Sequence, residues 1–223
     1  MGQQQPRSTR RRARTADAKS ERRAQILDAA ITLLDTGDPD QITVASVATR
    51  AGIAKGTVYL YFRTKEELFL GLTERLLEDW FDELDAALAG GQGWIQASAL
   101  ADLLTDALTQ RQLLRHLLGL LGPVLERNLD ADRAVRFKWR VAGRMTATGA
   151  LLERRTVFLR PGDGTRVLLH LQALAAGLQV LAEPATPVRQ VLEAPGLELF
   201  RMEFEREFRS AARALLTGLE RTN

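Results

Sequence analysis

Apolar residues recur along most of this chain at intervals of three and four positions, the spacing of one face of an α-helix. The first such stripe begins after Glu21 and consists of Ile26, Ala29, Ala30, Leu33 and Leu34. It predicts a helix that ends at the turn-forming cluster of residues 37–39, which reads Gly-Asp-Pro.

Two short helices are predicted next. Thr43 stands where a helix N-cap is expected, ahead of a second stripe of apolar residues. Gly52 follows the end of that stripe, where a residue in the left-handed conformation commonly terminates a helix. The second short helix is predicted over residues 54–61, and the two together form a helix-turn-helix pattern.

The rest of the chain is also predicted to be helical, because no apolar–polar alternation of useful length occurs. Thr64, with Glu67 three residues later, resembles a capping box that opens a long helix ending near Leu88. Further helices are predicted near residues 96–118, 120–128, 131–158, 165–182 and 197–219. The predicted fold class is therefore all-α, with three N-terminal helices followed by a larger helical domain.

Charge is distributed unevenly along the chain. Residues 1–23 hold eight basic and two acidic residues, a net charge of +6, whereas the whole chain of 223 residues carries +3. Residues 1–20 contain almost no apolar side chains, so we predict a disordered basic tail there. Such a tail suits a polyanionic partner, although a solvated tail without a partner explains the same composition.

Composition excludes several classes of protein. The chain has no cysteine, so it has neither a disulfide framework nor a thiolate metal site. No apolar run approaches the length that spans a bilayer, and the N-terminus lacks the apolar core of a signal peptide. We therefore expect a cytoplasmic protein with no membrane partner. No Walker, zinc-protease, nucleophile-elbow or dinucleotide-binding motif occurs, so we predict no enzyme activity, no cofactor and no metal site.

The short helices need a shared core, because helices of this length are unstable alone in water. The residues placed to form that core are Ile26, Ala30, Leu33, Val47, Ala48, Val58 and Phe62. With Val58 and Phe62 inward, polar and aromatic residues fall on other faces of the second short helix. Their chemical groups can contact DNA phosphates and base edges. The residues are Lys55, Gly56, Thr57, Tyr59, Tyr61 and, at the start of the next helix, Lys65.

The segment from Thr43 to Phe69, TVASVATRAGIAKGTVYLYFRTKEELF, resembles the DNA-binding signature of tetracycline-repressor-like (TetR family) transcriptional regulators. The resemblance covers about residues 22–70. It implies that residues 54–61 form the recognition helix and that Thr43 caps the preceding helix near phosphate. We therefore predict a tail over residues 1–20, a DNA-binding domain over 21–66 and an effector-binding and dimerisation domain over 67–223.

The resemblance further implies a homodimer, a palindromic double-stranded DNA operator and a small effector. The predicted dimer interface lies on the last two long helices and comprises Leu171, Leu174, Leu178, Phe200, Phe204, Phe208 and Leu215. The predicted lining of an effector pocket comprises Trp80, Leu84, Leu104, Leu108, Leu121, Phe137, Met145 and His170. An apolar lining of this kind favours a hydrophobic or amphipathic effector.

Two functional hypotheses remain at this stage. The first is a transcriptional repressor that leaves its operator when an effector binds. The second is a DNA-binding protein without an effector, for which binding would depend steeply on salt and little on sequence.

Overall fold

The computed structural model describes residues 7–36, 42–125, 127 and 129–222, and all regular elements in these ranges are helical. The chain forms two compact units, Met1–Leu72 and Thr73–Asn223. The α-helices are α1 (Arg7–Thr36), α2 (Val44–Arg50), α3 (Lys55–Tyr59), α4 (Lys65–Gly90), α5 (Ala97–Thr109), α6 (Gln112–Leu120), α7 (Ala131–Arg155), α8 (Asp163–Ala182), α9 (Thr186–Val191) and α10 (Phe204–Thr222). The predicted all-α class is confirmed.

Helix α1 begins at Arg7, whereas the sequence predicts a disordered tail over residues 1–20. Arginine and alanine dominate this segment and are among the strongest helix formers, so the helix extends without an apolar face to bury. Residues 1–6 of the predicted tail lie outside the described residues. The predicted turn at residues 37–39 lies outside them too.

Other helix boundaries also differ from the prediction. Residues 96–118 form two helices, α5 and α6, and residues 121–125 form a single π-helical turn in place of the helix predicted over 120–128. Helix α9 was not predicted from the sequence; its Pro187 lies in the first helical turn, where proline is favoured. Helix α10 begins at Phe204 instead of residue 197, after a 3-10 turn.

The core of the first unit joins α1, α2 and α3. Ile26, Ala30, Val47, Val58 and Phe62 are buried, as the hydrophobic pattern predicted. The Gln25 side-chain amide also donates to the carbonyl of Ala51 at 3.0 Å, which ties α1 to the end of α2. These contacts hold the two short helices in a fixed mutual orientation.

The first turns of α4 belong to the first unit. Gly71 has no room for a side chain, because an added Cβ would lie 2.8 Å from the Phe62 ring and 3.0 Å from the Arg23 guanidinium. Leu68, Leu70 and Leu72 are fully buried. We therefore place the domain boundary between residues 72 and 73 in preference to the sequence-based boundary at 66.

In the second unit, α7 and α8 approach each other closely. A Cβ on Gly149 would lie 2.5 Å from the backbone nitrogen of Thr165, and one on Gly164 would lie 2.1 Å from the carbonyl oxygen of Gly149. One carboxylate oxygen of Glu153 accepts from the backbone nitrogens of Gly162 and Gly164 at 2.8 and 2.9 Å. This carboxylate satisfies amides at the start of α8 and offsets the positive end of the helix dipole.

Ion pairs fix further helices of the second unit. The buried carboxylate of Glu74 on α4 accepts two hydrogen bonds of 2.7 Å from the guanidinium of Arg133 on α7. On α5, hydrogen bonds from Arg213 and Arg209 of α10 lower the pKa of Asp102 from its ordinary value. The Asp102 carboxylate therefore favours the folded state above its ordinary pKa, and this effect is lost as pH falls through the lowered pKa.

Helix α8 is long and apolar enough to cross a membrane by length and composition, although the sequence predicts no membrane-spanning run. It packs against α6, α7 and α10. Its exposed residues lie on one face, which includes Leu169, Ala173 and Gly177. Helices inside soluble proteins meet the same composition test, so the finding is weak evidence for a membrane span.

Candidate functional site

Helix α2 begins with a complete capping box. The backbone nitrogen of Ser46 donates to the Thr43 hydroxyl at 3.1 Å, and the backbone nitrogen of Thr43 donates to the Ser46 hydroxyl at 3.0 Å. After the helix, Gly52 has a φ of +67°, the left-handed conformation predicted for it. The cap and the turn therefore set where α2 starts and how the chain enters α3.

Helix α3 is anchored by one side chain and exposes the others. Val58 is fully buried, whereas Lys55, Gly56 and Tyr59 are exposed and Thr57 is half-buried. No heavy atom lies within 4 Å of the position that a Cβ on Gly56 would take. The predicted contact residues of α3 thus lie on the solvent side of the helix, with an open backbone at Gly56.

Cationic groups in this unit lie over aromatic rings. The Lys55 ammonium is 5.8 Å from the centre of the Tyr59 ring, and the Lys65 ammonium is 5.1 Å from that of Phe69. The Arg23 guanidinium lies 5.2 Å from the ring centre of Phe62. Cation–π contacts of this kind restrict the long side chains without neutralising their charge. Three cationic side chains of this unit are thus held against aromatic rings.

The start of α4 is capped by two groups. The backbone nitrogen of Glu67 donates to the Thr64 hydroxyl at 3.1 Å, and the Glu67 carboxylate accepts from the backbone nitrogen of Arg63 at 2.7 Å. This arrangement confirms the predicted pairing of Thr64 with Glu67. It differs from a strict capping box only in that the carboxylate reaches the residue before the cap. Tyr61 and Lys65, which flank this turn in the sequence, are both half-buried.

The second unit contains a nearly filled apolar cavity of about 20 Å³, room for about one water molecule. Side chains from α4, α5, α6, α7, α8 and α10 line it. Four of the predicted effector residues are on this lining: Trp80, Leu104, Leu108 and Met145. Leu84, Leu121 and Phe137 are buried outside the lining, and His170 is exposed on α8.

Two lining residues of the cavity carry polar groups, and only Trp80 was predicted from the sequence. The indole nitrogen of Trp80 is buried and has no hydrogen-bond partner among the described residues. Gln172 of α8 also lines the cavity. A glutamine inside the apolar sequence of α8 was the available signal for this second group.

The structure divides the residues predicted for a dimer interface into three sets. Leu171 of α8 and Phe204 and Phe208 of α10 are buried inside the protomer, where α10 packs against α5 and α8. Leu174, Leu178 and Leu215 are half-buried. Phe200 is exposed, but it precedes α10 and lines a surface groove.

A capped helix, a left-handed glycine turn and a second helix with an exposed polar face define a helix-turn-helix DNA-binding module. Comparison with known families agrees. A profile described as "Bacterial regulatory proteins, tetR family" matches residues 26–72. A second profile, "Tetracyclin repressor-like, C-terminal domain", matches residues 74–223. The chain belongs to the TetR family of transcriptional regulators.

Individual proteins of this family resemble parts of the chain. It is 33% identical over 94 residues to the HTH-type transcriptional regulator YfiR of Bacillus subtilis, an alignment covering 42% of this chain and 46% of YfiR. It is 34% identical over 100 residues to the repressor KstR of Mycolicibacterium smegmatis, covering 44% of this chain and 49% of KstR. The alignments thus span about half the length of these relatives.

A solved structure resembles the fold over most of its length. FadR of Bacillus subtilis in complex with stearoyl-CoA matches with a TM-score of 0.51 at 17% sequence identity. The match covers 86% of this chain and 96% of FadR. At this identity the likeness concerns the fold alone.

Proposed function

We propose that this protein is a transcriptional repressor that binds a palindromic operator as a homodimer and leaves it when a small apolar or amphipathic effector binds. The observation that carries the proposal is α3, which is anchored by the buried Val58 and turns its polar and aromatic residues outward. The protein would act in the cytoplasm, on nucleoid DNA, and without enzymatic activity.

Each exposed group on or beside α3 has a role that its chemistry supports. Thr57 offers a hydroxyl and a methyl to a base edge, and Gly56 lets the helix backbone approach the DNA closely. Lys55 and Lys65 would pair with phosphates, as would the hydroxyls of Tyr59 and Tyr61 and the cap residue Thr43. The arginines at the start of α1 would add phosphate contacts that carry no sequence information.

Replacing Thr57 by alanine should weaken binding to the preferred operator by about 1–3 kcal/mol, because a good base contact contributes that much to discrimination. Binding to unrelated DNA should be almost unchanged. Both affinities can be measured by fluorescence anisotropy at one fixed salt concentration. The matched control is Thr146→Ala on α7, whose hydroxyl bonds its own helix carbonyl at Ala142. Equal operator affinity of Thr57→Ala and wild type would show that Thr57 makes no base contact with the operator.

We propose that the dimer interface is formed by residues that are exposed on the single protomer. On α8 these include Ala173 and Gly177, with Leu174 at the edge. On α10 they include Ala214 and Gly218. Small residues on both helices allow the close approach that a four-helix interface requires. Of the residues predicted for the interface, Leu174 borders this surface, whereas Phe204 and Phe208 are buried inside the protomer.

The effector proposal rests on the apolar cavity of the second unit. Its lining favours an apolar ligand, and the unpartnered indole N–H of Trp80 favours one hydrogen-bond acceptor on that ligand. Because the cavity holds only about 20 Å³, a larger ligand must displace side chains of several helices. Such a displacement would couple effector binding to a change in helix packing, which a protein without an effector does not need.

We expect an acylated ligand to change the fluorescence of Trp80. Stearoyl-CoA, the ligand of the FadR structure, is a suitable first probe because it joins an apolar chain to a polar head. The two exposed tryptophans, Trp94 and Trp139, are first replaced by phenylalanine so that Trp80 alone reports. A saturable emission change with stearoyl-CoA, but none with coenzyme A, is the expected result. No change, or equal changes with both, would contradict an effector site at Trp80 for acyl chains.

A further inference from the structure

The segment that joins α8 to α10, residues 183–203, contains no buried residue in the described protomer. We call this segment the α9 arm. It has regular structure nonetheless, because it contains the six-residue helix α9 and a 3-10 turn at Glu198–Phe200. Its most enclosed apolar side chains, such as Leu192 and Met202, are half-buried. Helices this short are unstable in water without packing, so the protomer alone anchors the arm only weakly.

Hydrogen bonds inside the arm give it a shape of its own. The guanidinium of Arg201 donates to the carbonyls of Leu192 and Ala194 at 2.5 and 3.4 Å. The guanidinium of Arg189 donates to the carbonyl of Pro184 at 3.3 Å. These bonds connect one part of the arm to another. A segment that already has its final shape loses less conformational entropy when it docks on a partner.

Exposed apolar side chains are concentrated on the arm and on the end of α8 beside it. Six of the fourteen exposed large apolar residues in the described part of the chain lie within residues 180–200, and they are Val180, Leu181, Val188, Val191, Leu199 and Phe200. Four of them, Val180, Leu181, Val188 and Phe200, line a single groove. Soluble monomers rarely expose contiguous apolar patches larger than a few hundred Å², so this concentration indicates a surface that a partner covers.

The apolar surface of the arm continues the exposed face of α8. Residues on that face recur at intervals of four, four and three positions, and they are Leu169, Ala173, Gly177 and Val180. Ala173 and Gly177 belong to the proposed dimer interface, whereas Val180 lines the groove beside the arm. A partner subunit that lies along this face of α8 would therefore meet the arm as well.

The charges around the arm favour a second copy of the chain as its partner. Arg189 and Arg201 are exposed on the arm together with Glu193 and Glu198. A two-fold symmetric interface brings a surface against its own copy, so a surface with charges of one sign would repel itself. A rim of both signs around an apolar centre avoids this repulsion and matches the anatomy of homodimer interfaces.

We propose that the α9 arm packs on a second copy of the chain and extends the dimer interface beyond α8 and α10, with Val191 and Phe200 buried against the partner's copy of the same surface. This inference rests on the proposed homodimer. Ala173 and Gly177 allow close approach of two helices but offer little apolar area of their own. The arm would contribute much of the apolar area that holds the dimer together.

The first test is Val191→Glu, studied by sedimentation velocity over a dilution series of the full chain. We expect the Kd of the dimer to rise about a hundredfold, because two-fold symmetry places each new charge at the interface twice. Val191 is exposed, so the protomer should keep its fold. The matched control is Val135→Glu on α7, a valine of similar exposure outside this surface, which should dimerise like wild type.

Hydrogen exchange measured by mass spectrometry tests docking of the arm without altering it. In the wild-type dimer, the amides of α9 should be protected from exchange. In Gly177→Arg, which we expect to be monomeric, the same amides should exchange about tenfold faster or more, because the protomer buries no residue of the arm. Exchange in α7 should be the same in both proteins.

The outcomes separate this inference from the homodimer on which it rests. A wild-type dimer whose Kd is unchanged by Val191→Glu would overturn the arm proposal and leave the homodimer intact. Equal exchange of the α9 amides in dimer and monomer would do the same, and would leave the groove to a different ligand or partner. A wild type that is monomeric at every concentration would overturn the homodimer itself.

Discussion

Replacing Gly177 by arginine should reduce operator affinity to the level of nonspecific binding, a loss of about 10³-fold or more. Gly177 lies on the exposed face of α8 at the proposed dimer interface, where no heavy atom lies within 4 Å of its Cβ position. The protomer therefore accommodates the arginine, but a closely approaching partner helix does not. A monomer presents one recognition helix, whereas specific binding needs two on half-sites about 34–36 Å apart.

The control for this experiment is Gly143→Arg on α7. Gly143 is also an exposed helical glycine with no heavy atom within 4 Å of its Cβ position. Sedimentation velocity should show monomers for Gly177→Arg and dimers for Gly143→Arg. Thermal unfolding should show that the protomers of both variants are folded. A dimeric Gly177→Arg protein with normal operator affinity would exclude this face of α8 from the interface.

The second large effect concerns stability. Replacing Glu74 by alanine should lower the free energy of unfolding by about 3–5 kcal/mol, because it leaves the guanidinium of Arg133 without its bidentate partner in a mostly buried position. The pair joins α4 to α7 through two hydrogen bonds of 2.7 Å. Urea unfolding followed by circular dichroism measures the change.

Glu78→Ala provides the comparison on the same helix. Glu78 pairs with Arg144 at 3.5 Å, and both side chains are partly exposed. Arg144 also retains Asp82 at 2.7 Å when Glu78 is lost. Removing this pair should cost less than about 1 kcal/mol. Similar losses in the free energy of unfolding for the two variants would mean that burial does not increase the contribution of the Glu74–Arg133 pair to stability.

The DNA-binding unit could be predicted from sequence because its signals are local. Thr43 as a cap, Gly52 as a left-handed turn and Val58 as a buried anchor each depend on residues a few positions away. The start of α1 was missed for the opposite reason. A helix made of arginine and alanine shows no apolar periodicity, so the pattern that locates other helices was absent.

The second unit could be predicted only as a set of helices. In α10, the wide apolar face contains Phe204, Phe208 and Leu215, and sequence alone does not separate burial in the protomer from burial against a partner. The structure assigns Phe204 and Phe208 to the protomer because α10 packs on α5. The cavity lining likewise depends on which faces of six helices meet. Trp80 and Met145 were found there, whereas Phe137 was not.

Buried polar residues were the least predictable part of the fold. Arg115 interrupts an apolar segment of α6 and appears in the sequence as an exposed charge. In the structure it is buried, and burial lowers its pKa from the ordinary value. Its partner Gln179 lies 64 residues further along the chain. Pairings over such distances leave no periodic signal.

We expect sequence-specific DNA binding by the two α3 helices of a dimer. Selection of bound fragments from a random double-stranded DNA pool tests it most directly, with the full-length protein and sequencing of each round. We expect enrichment of an inverted repeat whose half-sites lie about one helical turn, or a multiple of it, apart. A pool that stays random while binding remains strong and steeply dependent on salt would contradict the account, and would favour a nonspecific DNA-binding protein.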